Sequence, residues 1–320
     1  MNECLVCLEG KGTVKVPMSV LRSCVLLTAI AAVGDSIAIA QESPAVGSAQ
    51  EHVIYASVLN KQGLPVTNLR ASDFVVREEG VEREVTRVSP ASEPMRIAVL
   101  ADTSRAMEPS INDMRRALRT FFQEMQGNAD IALFEFGERP ARLVDYTRDP
   151  ALLEAGIGRL FARPASGAYV LDAIVEASRD FRTRESARPV IVVISGQGPE
   201  FSERYHQDVV EALRASHATL HSIVVTRRRG PILRDGARER ELTFSEGTEL
   251  TGGRREDLLT SMSLADTLKD LAGELKTQYR LVYVRPEQLI PSDRIDVAIR
   301  QPQLTVRASR VAPTVPNRLP

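Results

Sequence analysis

Beyond residue 24 the chain has no cysteine; Cys4, Cys7 and Cys24 all lie near the amino terminus. The rest must therefore fold on its apolar core without disulfides. Cys4-x-x-Cys7 has no second pair at matching spacing, which removes the usual zinc or redox reading. Cys24 precedes its apolar stretch instead of ending it, a poor position for lipid attachment. Long hydrophobic runs are also missing: the apolar core near the amino terminus falls short of the ~20 residues a membrane-crossing helix needs. Charge of one sign is scarce, with 41 basic against 42 acidic residues and a formal net charge of −1. That balance argues against a general polyanion binder and provides no long-range steering. Neither a phosphate-cradling Gly-x-x-x-x-Gly-Lys nor a nucleophile elbow Gly-x-Ser-x-Gly occurs.

What is present begins with a targeting pattern. Lys11, Lys15 and Arg22 are basic, Cys24 to Val33 is apolar except for Thr28, and Ala38-Ile39-Ala40 offers small residues before Gln41. Basic, then apolar, then small is the order of a signal peptide. Residues 1–40 are expected to direct export to the periplasm or beyond, with cleavage near Ala40-Gln41. Met18, followed by Arg22, makes a more usual start for such a segment than Met1. Cleavage there leaves the charge balance unchanged.

Residues 41–50 read as a linker, carrying Pro44, Gly47 and no apolar period. Residues 51–93 read as a small β unit. His52 to Leu59 has strand propensity, Asn60 to Gly63 turns the chain, and Phe74–Val81 with Glu84–Val88 suggests a glycine-containing hairpin. From residue 94 to 285 strands and helices alternate. Arg96 to Ala101 is an apolar run that stops at Asp102. Ile111, Met114, Leu118, Phe121, Phe122 and Met125 then recur at helical spacing. Strands follow at Asp130–Phe136, Ala141–Asp145, Val190–Ile194, Thr219–Val225 and Tyr279–Val284. Helices are expected at Asp149–Leu160, Leu171–Phe181, Tyr205–Ala215 and Leu264–Lys276. That alternation predicts an α/β fold with a doubly wound, mostly parallel, Rossmann-like sheet. Residues 286–310 alternate as a β hairpin (Arg294–Arg300 with Leu304–Val306), expected to pack on the amino-terminal β unit because neither is stable alone. Residues 311–320 read as a frayed tail.

Several of these stretches together resemble the bacterial VWFA-related domain family. They are Asp102-Thr103-Ser104 between a strand and a helix, Leu64-Pro-Val-Thr67, Asp73-Phe74, Glu78-Glu-Gly-Val81 and Gln278-Tyr279-Arg280-Leu281. The resemblance implies a von Willebrand factor type A (vWA) fold, with a small β unit formed by amino- and carboxyl-terminal strands. In metal-binding members it implies three loops holding a divalent cation by hydroxyl and carboxylate oxygens, the ligands a hard ion prefers. The first loop here keeps Asp102 and Ser104 but has Ala106 at the second serine position. The second, Ser166-Gly167-Ala168-Tyr169, has Ala168 at the threonine position. The third, Ser195-Gly196-Gln197, has Gly196 at the aspartate position. Each lost unit charge beside a cation forfeits several kcal/mol even at an effective dielectric near 20. No metal or other cofactor is expected, unless Ser166, Ser195 or Glu200 supplies a substitute oxygen. Asp102 is read as capping its own loop through backbone N–H groups.

Other constellations are weaker. His52 and His206 stand alone. His217-x-x-x-His221 straddles a strand start, so the two need not share a face. Arg227-Arg-Arg229, Arg234, Arg238 and Arg240 are interleaved with Asp235, Glu239 and Glu241 without aromatics, which reads as a solvated loop or insertion and not as a nucleic-acid site. The function expected is an exported, non-enzymatic interaction module, with membrane involvement only through its export signal and no small-molecule substrate. Asp102, Ser104, Arg105, Ser166, Tyr169, Ser195 and Gln197 are its candidate contacts with an unknown protein partner. A hydrolase or other enzyme using the same crevice is the alternative, but the sequence offers no nucleophile–base pair for it. A structural envelope component without a specific ligand is a third.

Overall fold

The computed structural model describes residues 49–163, 165–226, 235–286 and 293–312, all within one compact unit. The expected export signal and most of the linker lie outside these residues, as do Arg227, Arg228, Arg229 and Arg234.

The chain opens with β1 (Ala49–Leu59), β2 (Phe74–Glu78), β3 (Val81–Arg83) and β4 (Val85–Pro90). Glu79 and Gly80 both have positive φ, 47° and 83°, the two-residue turn that matches the twist of a hairpin. Next come β5 (Met95–Ala101), α1 (Ile111–Met125), β6 (Ala129–Glu135) and β7 (Ala141–Thr147). Then α2 (Pro150–Gly158), α3 (Val170–Arg184), β8 (Arg188–Gly196), α4 (His206–Ser216) and β9 (Thr219–Val225) follow. The last elements are α5 (Asp235–Thr251), β10 (Arg255–Leu258), α6 (Leu264–Lys276), β11 (Tyr279–Pro286), β12 (Ile295–Ile299) and β13 (Thr305–Ala308).

The central sheet runs β10-β9-β8-β5-β6-β7, parallel except for the antiparallel edge strand β7. Helices cover both faces. Side chains of α1, α2 and α6 meet Ile97, Val99, Val190 and Val192 on one side. Those of α3, α4 and α5 meet Ala98, Leu100, Ile191 and Val193 on the other. Burial on two faces explains why every residue of β8 is buried. Leu118 and Phe121 of α1 are fully buried, each stabilising the fold by about 1.5–3 kcal/mol. Asp149 caps α2 by accepting from the Ala151 amide at 2.8 Å, with Pro150 in the first turn.

The β unit forms a base beneath the amino ends of the parallel strands. It consists of two small sheets, β13-β1-β11-β4 and β12-β2-β3. They share a core of Ile54, Phe74, Val76, Tyr279, Leu281, Tyr283 and Ile295. Four expectations are corrected here. β12 and β13 do not pair as a hairpin: β12 joins β2 and β13 joins β1, because each alternating strand finds its apolar partner in a different small sheet. β11, expected within the α/β segment, pairs with β1 and β4 in the base. Val311, assigned to a frayed tail, bridges Arg294, while residues 313–320 lie outside the described residues. The stretch carrying Arg238, Glu239, Arg240 and Glu241 is not a loop but part of α5.

Arg188 fastens the base to the central sheet. Its guanidinium donates to the carbonyls of Ala91 (3.5 Å), Glu93 (3.3 Å) and Leu275 (3.1 Å) and to Gln278 Oε1 (2.7 Å), beneath the Tyr55 ring.

Candidate functional site

Strand order reverses at β5, which has β8 on one side and β6 on the other. The loops above the carboxyl ends of these strands border the crevice where open α/β sheets bind ligands. Asp102, Thr103 and Ser104 follow β5 directly and are fully buried. Asp102 Oδ1 accepts from the Ser104 amide at 2.8 Å. Its Oδ2 accepts from the Gly196 amide at 2.9 Å and the Ser195 hydroxyl at 3.1 Å. The carboxylate therefore caps its own loop and holds the loop after β8. Thr103 ties in a further loop, donating to Glu135 Oε2 at 3.2 Å and accepting from the Gly137 amide at 3.2 Å. Arg163 completes that link through an ion pair with Glu135 at 2.7 Å and a hydrogen bond from its backbone amide to the Thr103 carbonyl at 2.8 Å.

The loops before α3 and after β8 are stitched backbone to backbone. The Ala168 amide donates to the Pro199 carbonyl and the Phe201 amide to the Ala168 carbonyl, both at 2.8 Å. The Glu200 carboxyl group lies across the same seam. Its Oε1 accepts from the Val170 amide at 3.1 Å and the Ser202 amide at 3.2 Å. Burial pushes the Glu200 carboxyl up to about 7, with nearby Asp102 adding to the rise, while Ser202 and Arg240 oppose it. From α5, Arg240 donates to the Gly198 carbonyl at 3.0 Å.

These donors do not suit a divalent cation. Both Asp102 oxygens are already occupied, and Ala106, Ala168 and Gly196 offer no side-chain oxygen. A Cβ at Gly196 would lie 3.1 Å from the Ala106 methyl, and one at Gly198 only 2.7 Å from it. The alanine methyl thus fills the space beside the third loop. The buried Ser104 hydroxyl has no hydrogen-bond partner, but a single neutral oxygen is a poor basis for holding a hard ion. Among the described residues no group of three or more His, Cys, Asp or Glu side chains is placed to hold a metal. Nucleophilic chemistry finds little here either: Ser195 is buried with its hydroxyl on Asp102, and His206 faces Glu239.

The candidate contacts divide by burial. Arg105 and Gln197 are exposed, and Ser166 and Tyr169 are half-buried. Asp102, Ser104 and Ser195 are fully buried, so they shape the loops and cannot themselves touch a partner. Sequence reasoning did not single out the apolar rim. Phe161, Phe201, Tyr205, Leu259 and Met262 are 47–84% exposed; the first four lie on loops at this end of the sheet and Met262 on the short 3-10 turn Ser261–Ser263. For all but Tyr205, which opens an expected helix, the available signal was a large apolar residue outside any periodic element.

Residues 97–199 match the family described as von Willebrand factor type A domain. No curated protein sequence matches the chain. Among solved structures, a von Willebrand factor type A protein from Catenulispora acidiphila is similar at 13% identity and a TM-score of 0.47. The match covers 83% of this chain and 73% of that one. An aerotolerance-related membrane protein from Bacteroides fragilis is similar at 16% identity and a TM-score of 0.42, over 56% of this chain and 98% of that one. The vWF domain of the pilus tip protein Mfa5 from Porphyromonas gingivalis is similar at 12% identity and a TM-score of 0.44, over 58% and 96%. The doubly wound sheet and the loops above β5 and β8 have the von Willebrand factor type A fold, and the stretch of the chain that matches that family spans residues 97–199.

Proposed function

We propose that this chain is an exported interaction module that binds a protein partner through the upper loops without a metal ion. The observation that carries this reading is the rim. Among the described residues, five of the eight exposed large apolar side chains, Phe161, Phe201, Tyr205, Leu259 and Met262, stand at that end of the sheet. Aromatic anchors beside arginine are the usual composition of a binding hot spot. Arg105 and Gln197 add exposed polar contacts, with Ser166 and Tyr169 at the edge. A domain type that commonly mediates protein–protein interaction fits this role. Metal independence is supported by the three positions without side-chain oxygens and by the internal use of Asp102. Export rests on the basic, apolar and small-residue order of residues 1–40. No described helix is long and apolar enough to cross a membrane.

The test is capture of partners from an envelope fraction in excess chelator, comparing the unmodified protein with Phe201→Ser and Arg105→Glu. A defined partner should be retained with chelator present and weakened about tenfold or more by each variant, the scale of one hot-spot contact. A partner that needs Mg²⁺, or that ignores both substitutions, would rule the reading out.

A further inference from the structure

Sulfur is unevenly placed in this chain. The three cysteines lie at positions 4, 7 and 24 and there is no tryptophan, so methionine is the most easily oxidised side chain among the described residues. Met95, Met107, Met114 and Met125 are at most 1% exposed, packed in the core on the α1 side of the central sheet. Met262 is 72% exposed. It stands in the middle of the turn Ser261–Ser263, between β10 and α6, and that turn is held on both sides. Thr260 Oγ1 accepts from the Met262 amide at 3.3 Å, and Ser261 Oγ donates to Asp113 Oδ2 of α1 at 2.5 Å. Behind it, Thr267 Oγ1 donates to the Ser263 carbonyl at 2.9 Å and Leu264, the first residue of α6, is fully buried. The fixed backbone keeps the thioether outside the core and open to small solutes. With Leu259, three residues earlier and 84% exposed, Met262 makes up the most exposed part of the apolar rim.

We propose that Met262 is a reversible oxidation site, at which a hydroperoxide turns one anchor of the rim from apolar to polar. The thioether lone pair attacks a peroxide oxygen. An S–O bond forms, the O–O bond breaks, and the departing oxygen leaves with the proton as water or an alcohol. Sulfur is oxidised by two electrons and the peroxide is reduced by two. The sulfoxide carries a polar, strongly accepting oxygen where a flexible apolar group stood, and an apolar contact made there is lost. A sulfoxide reductase drawing on a dithiol reverses the step, giving the thioether, a disulfide and water. The four buried methionines are shielded, so the change is confined to the surface and leaves the core as it was. The consequence for binding rests on the reading of this end of the sheet as the partner-facing surface, but the site itself is tested without a partner.

The experiment treats the whole chain with limiting hydrogen peroxide at neutral pH and follows the sulfoxide at each methionine by peptide mass spectrometry. Met262 should oxidise about tenfold or more faster than Met95, Met107, Met114 and Met125, which are reached only when the core opens. Retention on a phenyl matrix is measured on the same samples. Oxidised protein should elute earlier, and a methionine sulfoxide reductase with dithiothreitol should restore the original retention. Met262→Leu, which keeps an apolar side chain that peroxide does not attack, should lose most of that shift. Equal rates at Met262 and the buried four, unchanged retention of the oxidised protein, or a shift of the same size in Met262→Leu would overturn the site. Failure to find a partner would bear only on the interaction reading.

Discussion

The carboxylate of Asp102, at the end of β5, accepts the amide of Gly196, at the end of β8, at 2.9 Å. Two strands adjacent in space but nearly a hundred residues apart in the chain are thereby joined where their loops diverge. The Ser104 amide and Ser195 hydroxyl fill the remaining positions on the same carboxylate.

Asp102→Ala leaves the Ser104 and Gly196 amides buried and unpaired, while the Ser195 hydroxyl can still donate to the Gly196 carbonyl at 3.2 Å. Each unpaired group costs about 1–3 kcal/mol, so the substitution should destabilise the fold by about 2 kcal/mol or more. Asp102→Asn, which keeps part of the acceptor set, should cost less. Urea unfolding of the two variants gives the comparison; equal stability of Asp102→Ala and the unmodified protein would contradict the capping role.

Excess Mg²⁺ or Mn²⁺ should leave the unfolding midpoint where chelator leaves it. A ligand at 100 times its dissociation constant adds about 2.7 kcal/mol, which would move the midpoint by roughly 5 °C or more in a chain of this size. A rise of that size, abolished by Asp102→Ala, would mean that substitute oxygens rebuild the site.

Much of this arrangement was legible in the sequence. Uninterrupted apolar strands followed by amphipathic helices announced a doubly wound sheet, and a short carboxylate directly after a strand announced a loop cap. What was hidden has physical causes. The inner face of α5 is built of Thr243, Thr248, Thr251 and Gly247 with a single Phe244, so no apolar period marks it. β12 and β13 alternate like a hairpin, and nothing local says that they part to different sheets. The burial of Glu200 depends on loops from three separated segments meeting, which composition does not encode.

Arg188→Ala should loosen the joint between base and central sheet. It strips donors from three carbonyls and Gln278 in a buried place, with an expected cost of about 2–4 kcal/mol. Arg188→Lys should recover little, because an ammonium cannot reproduce the planar fork. Full recovery by lysine in chemical unfolding would show that charge alone matters there.

Acid should unfold the chain partly through His221. The ring is buried on β9, and its Nδ1 accepts the Arg254 amide at 3.0 Å. Burial, then Arg307 and Arg254, hold it down at about 3. The unfolded chain takes up this proton near pH 6.5 and the folded chain does not. The contribution is therefore present above about pH 6.5 and is lost as pH falls toward 3, by at most about 1.4 kcal/mol per pH unit. Burial lowers His52 in the same direction. Stability measured at pH 7, 5.5 and 4.5 should fall less steeply in His221→Leu, whatever its absolute value.

β1 is flanked in one small sheet by β11 and β13, so the strand that opens the described chain lies against two of its last three. A force applied through either end of the described chain therefore enters at the base, below the amino ends of the parallel strands. The rim of Phe161, Phe201 and Tyr205 sits at the opposite pole, outside that line of tension. Anchored from either side, the protein would present the same face to whatever it meets.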